Sequence, residues 1–146
     1  MNTDMSEMNG FYTGEETISP RRTAFRYMGA SAGVAIAAFI YEYFSHGVYS
    51  PWMIFAHMVP LVMGFVPYLI MYALEDKRGV KCLLSGPAGR FYRWGNACFT
   101  AGCLMKGVLE IYGTTNAMTG LYWAAGTAFI CVAAVAAGIR ASGSAQ

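Results

Sequence analysis

The chain has 146 residues, 56% of them hydrophobic and only 12% charged, and its net charge is +2. That balance excludes a soluble globular domain and gives a nucleic-acid partner no support; it puts the chain in the membrane class, with the lipid bilayer as first partner. No stretch outside the apolar ones is long enough to bury a core of its own.

Residues 1–24 read as a polar tail on the cytoplasmic side. Asp4, Glu7, Glu15 and Glu16 lie in it, whereas a cleavable signal peptide begins basic and turns apolar at once. Ser19-Pro20-Arg21-Arg22 closes the tail and suits an interfacial turn with its arginines at lipid headgroups.

Residues 25–140 read as an all-α integral membrane domain, a four-helix transmembrane bundle. Its apolar stretches run from Phe25 to Ser45, Pro51 to Leu74, Phe91 to Tyr112 and Met118 to Ile139. Each approaches the ~20 residues that carry a helix across the hydrocarbon core. In the first, Gly29, Gly33 and Ala37 make a flat small-residue face, suited to packing inside the bundle or against a second copy. The second contains Pro60, Gly64 and Pro67. Each proline removes a backbone donor, so a bent helix is expected there. The fourth offers a further small face at Gly126, Ala133, Ala134, Ala137 and Gly138.

Lys and Arg sort to one side. Arg21, Arg22 and Arg26 open the first stretch, Lys77, Arg78, Lys81, Arg90 and Arg93 fill the middle link, and Arg140 closes the last. The links at Gly47–Ser50 and Gly113–Ala117 have no Lys or Arg. The positive-inside rule then places both termini in the cytoplasm, residues 141–146 being a short cytoplasmic tail, and makes the chain a multi-pass protein of the cell membrane. A shift of 68 residues lays Arg22 on Arg90 and Glu42 on Glu110, which suggests a 2+2 parallel repeat.

Cys82, Cys98, Cys103 and Cys131 form no C-x-x-C pair, and they read as small apolar residues. A thiol oxidoreductase needs paired cysteines near the outer surface. The middle link has no phosphate-cradling loop, and no nucleophile stands beside a base, so a non-enzymatic role is expected.

Apart from Arg26 and Arg93 at the inner ends, the charged and histidine residues within the stretches fall toward the outer side. Glu42 and His46 share a face near the end of the first, His57 lies two turns into the second, and Lys106 and Glu110 share a face in the third. Cys103 and Asn96 lie near that last stripe. Charge inside a bilayer costs ~3 kcal/mol per group at the helix centre, so these groups are expected to meet one another or a wet cavity. Lys106 is expected to neutralise against Glu110 or Glu42. The leading reading is that Glu42, His46, His57, Lys106 and Glu110 bind a small polar or ionic ligand from outside, in a small transporter or an accessory subunit of one. A second reading is an ion-pair clamp in a structural or assembly subunit, with a homodimer or a larger membrane complex as the setting. A third is a metal or haem site built on the same N and O donors. Tyr41, Tyr43, Phe44, Tyr49, Trp52, Phe55, Tyr112, Tyr122 and Trp123 read chiefly as an interfacial aromatic belt, with lining a pocket or stacking on a cationic ligand as the alternative for some.

Overall fold

A computed structural model of the chain describes residues 19–78, 83–84 and 86–143, and among these every regular element is helical. The acidic tail, Lys81 and Cys82 lie outside the described residues.

Helix α1 spans Pro20–Phe44, with proline at its first turn where a missing N–H costs nothing. The second rod is assembled from three pieces: α2 (Pro51–Ile54), a π-helical segment (Val59–Phe65) and α3 (Val66–Arg78). Helix α4 covers Gly86–Ile111 and α5 covers Thr119–Gly143. Three helices are long and apolar enough to cross a membrane: Pro20–Phe44, Pro51–Lys77 and Thr119–Ser142. Helix α4 is as long, but Arg90, Arg93, Lys106 and Glu110 make it the polar member of the set.

The rods pack in chain order, each antiparallel to the next. Tyr27 meets Gly64 and Tyr68, and Ser31 reaches back to His57. Met53 meets Gly107, while Tyr92 meets Met63 and Tyr68. Gly95 faces Ile130, and Gly102 faces Tyr122. Contact runs from α1 to the second rod, from that rod to α4, and from α4 to α5. Helix α4 is therefore interior to the row, and that position explains its composition. One stripe, carrying Gly89, Tyr92, Asn96, Cys103, Gly107 and Glu110, lies toward the second rod, and another, at Gly95, Phe99 and Gly102, lies toward α5.

The expected interruption of the second rod takes a definite form. Turn bonds replace the helical ladder at Phe55–Val59, where Met58 N donates to the Phe55 carbonyl (2.9 Å) and Val59 N to that of Ala56 (3.3 Å). The π-helix follows and ends where Val66 N donates to the Leu61 carbonyl. Pro67 has no N–H for the carbonyl four residues before it, that of Met63, and the Tyr92 hydroxyl donates to that oxygen instead. Close approach is what Gly64 provides: a Cβ there would lie 2.1 Å from the Tyr27 ring. Tyr27 and Tyr68 stack at 5.6 Å, and Tyr68 meets Tyr92 edge-on at 6.2 Å, around a small core with Ala24 and Leu84.

The small face of α1 is not used inside the molecule. A Cβ at Gly29 or Gly33 would meet nothing within 4 Å, so internal packing does not explain that motif.

Candidate functional site

The antiparallel row collects the two Lys/Arg-free links at one end and the arginines at the other. At the first end α4 finishes one residue after Glu110, and the loop 112–118 turns back into α5. Asn116 holds that loop: its Oδ1 accepts from Met118 N (2.9 Å), and its carbonyl accepts from Thr119 N (3.1 Å). A cleft of about 320 Å³ opens between the end of α4 and this loop. Lys106 and Glu110 line one wall, Thr114, Asn116 and Thr119 the other, and Trp123 also borders it.

Two contacts fix the charged wall. Ser50, fully buried at the start of the second rod, donates to Glu110 Oε2 (2.6 Å). Its side chain makes no helix cap, so the hydroxyl is committed to the carboxylate. Lys106 does not pair with Glu110 or Glu42. Its ammonium lies 3.8 Å from the centroid of the Trp52 ring, inside the range of a cation–π contact. Trp52 in turn stands edge-on to Trp123 at 5.8 Å, and Trp123 packs on Phe99 at 5.6 Å. Residue 107 is glycine because the second rod comes in at this level: a Cβ there would lie 2.7 Å from Met53 Cβ. The lysine side chain thus ends against an aromatic face, and the carboxylate keeps one oxygen outside the Ser50 bond. The cleft offers a cation, a carboxylate, hydroxyls and an amide to something small and polar.

The other three residues singled out in the sequence are not among those that line this cleft. Among the described residues, no hydrogen bond or ion pair links Glu42, His46 or His57 to Lys106 or Glu110. Glu42 is half-buried, and its Oε1 is buried without a hydrogen-bond partner. His46 is exposed in the turn after α1 with a φ of 56°, a left-handed conformation that a non-glycine residue rarely takes. His57 Nδ1 donates to the carbonyl of Ile54 (2.8 Å), and its own carbonyl accepts from Ser31 Oγ (2.8 Å), so it serves the break in the second rod. The described residues hold no group of three or more His, Cys, Asp or Glu placed to share a metal ion.

Ser50, Thr114, Asn116 and Thr119 were not legible as site residues. A serine before a proline reads as a helix start, and a polar loop reads as solvated. Trp52 and Trp123 read as belt residues; Trp52 also carries the lysine, and Trp123 packs on Trp52 at the edge of the cleft. Asn96 is the other surprise: it is 1% exposed, with the Tyr27 hydroxyl of α1 as its polar neighbour.

Comparison of the chain with protein-family models, with curated proteins and with solved structures gave no match in any of the three.

Proposed function

We propose that this chain is a multi-pass protein of the cell membrane, with four spans and both termini in the cytoplasm, that binds a small polar or ionic ligand from the outer side. The single observation that carries the reading is the cleft of about 320 Å³ in which Lys106 and Glu110 stand opposite Thr114, Asn116 and Thr119. Its charged groups are held by Trp52 and Ser50 rather than by each other, so both remain available to a zwitterion, an ion or a small polar solute. Helix α4 is the fourth span in this reading; its interior place in the row shields the polar stripe from lipid. The breaks at Phe55–Phe65 would let the second rod flex against α4, as a small transporter or a transporter subunit requires.

A second reading is favoured by the same two contacts. Ser50 to Glu110 and Trp52 to Lys106 both tie the second rod to α4, as a structural clamp would.

Thermal unfolding of the purified protein in detergent, run across a panel of amino acids, organic cations and inorganic ions, separates the two. A ligand in hundredfold excess over its Kd should stabilise the wild type by ~2.7 kcal/mol. Glu110→Gln and Lys106→Met should fold and lose that response. If no ligand stabilises the wild type and both variants are merely less stable, the clamp is the better account.

A further inference from the structure

At the end of the molecule away from the cleft, the first two turns of α1 present three exposed arginines. Arg21, Arg22 and Arg26, with Ser19 and Phe25, line a surface cavity of about 650 Å³. All three arginines are exposed, and among the described residues none makes an ion pair. The helix has no acidic residue in its first turn, and the Ser19 side chain forms no cap bond. The first bond of the ladder runs from Thr23 N to the Ser19 carbonyl (3.2 Å), so the N–H groups of Arg21 and Arg22 lie ahead of it without helical acceptors. Guanidinium groups and the positive end of a helix converge on one cavity, and both favour an anion with several oxygens, as in a phosphate.

A second feature says what the anion is attached to. From Arg22 the chain steps by fours and threes through Arg26, Gly29, Gly33, Ile36 and Ile40, which is one stripe of a helix. Every residue of that stripe is exposed, and the two glycines leave open space where Cβ atoms would stand. The result is a shallow apolar channel running from the arginines into the depth of the membrane. Phe25, 54% exposed, flanks its mouth and carries the Arg21 guanidinium 5.9 Å from its ring centroid. A second copy of α1 laid along this stripe in parallel would set Arg22 and Arg26 against their own equivalents, which like-charge repulsion disfavours.

We infer that this face of α1 is a binding site for an anionic phospholipid, with the phosphate held by Arg21, Arg22 and Arg26 and an acyl chain lying over Gly29 and Gly33. The inference is independent of the cleft at the opposite end.

The full chain, purified in an uncharged detergent, is titrated with phosphatidylglycerol, phosphatidylcholine or inorganic phosphate, and bound lipid is counted by native mass spectrometry. The wild type should retain phosphatidylglycerol over phosphatidylcholine, with a preference that weakens as salt is raised. Arg22→Gln/Arg26→Gln should lower that preference by roughly tenfold or more. Gly33→Leu, which fills the channel and keeps the charge, should weaken retention of both lipids and preserve the headgroup preference. Equal retention of the two lipids by the wild type, or a salt-independent preference, overturns the proposal without any variant. Displacement of phosphatidylglycerol by inorganic phosphate at equal concentration would make this a free-anion site and overturn the lipid assignment. A wild-type dimer that Gly33→Leu dissociates would make the face a seam between copies, with the same consequence.

Discussion

The hydroxyl of Tyr92 on α4 donates to the carbonyl of Met63, the oxygen that Pro67 leaves without its α-helical donor. A neighbouring helix thus repairs a defect in the second rod. In a membrane such a repair is obligatory, because no water stands by to do it. Replacing Tyr92 by Phe keeps the ring contact with Tyr68 and removes only the bond. The expected cost is ~1–3 kcal/mol, that of a buried carbonyl left unpaired, read as a lowered Tm in detergent. A variant with wild-type stability would show that the π-helical segment does not depend on this donor.

The two glycine sets should behave oppositely. Gly64→Ala drives a methyl into the Tyr27 ring, and Gly107→Ala drives one into Met53, so each should cost ~1–3 kcal/mol by overpacking. Gly33→Ala meets nothing and should leave the monomer's Tm within experimental scatter or raise it slightly, since alanine favours helix. Equal losses at Gly33 and Gly64 would contradict the order in which the helices pack.

Asn96 is buried with the Tyr27 hydroxyl of α1 as its polar neighbour, so truncating it removes that contact. Asn96→Ala should therefore cost ~1–3 kcal/mol, the packing and the contact with Tyr27 both being lost. Asn96→Asp should cost several kcal/mol, because it buries a charge at the same place. Thermal unfolding of both variants tests this. Wild-type stability in Asn96→Ala would mean that the amide contributes nothing to the packing of α1 on α4.

Ser50 should matter beyond its size. Ser50→Ala removes one bond to a carboxylate that is itself exposed, so its stability cost should stay near ~1 kcal/mol. Trp52→Leu removes the aromatic face from the Lys106 ammonium, worth ~0.5–2 kcal/mol, and should combine non-additively with Lys106→Met. A double-mutant cycle with zero coupling would deny that Trp52 holds the lysine.

Topology is open to direct measurement. Reporter fusions at Tyr49 and Asn116 should lie outside and those at Arg78 and Gln146 inside, as the Lys/Arg distribution requires. An outward reporter at Arg78 or Gln146 would refute the four-span arrangement.

Much of this architecture was already written in the order of residues. Apolar length marked the helices of α1, the second rod and α5, since crossing hydrocarbon is a demand each segment meets alone. Pro60 and Pro67 marked the broken rod, because a missing N–H is a local fact. The partners were not local facts. Lys106 and Glu110, four apart on one helix, look like a pair on paper, yet the approach of the second rod gives the lysine to Trp52 and the carboxylate to Ser50. Gly29-x-x-x-Gly33 looks like a packing motif but faces outward, while Gly64 and Gly107, in no such motif, are where the rods touch. Spacing tells which residues share a face; only the packing of separate segments decides what that face meets, because it depends on residues tens of positions away.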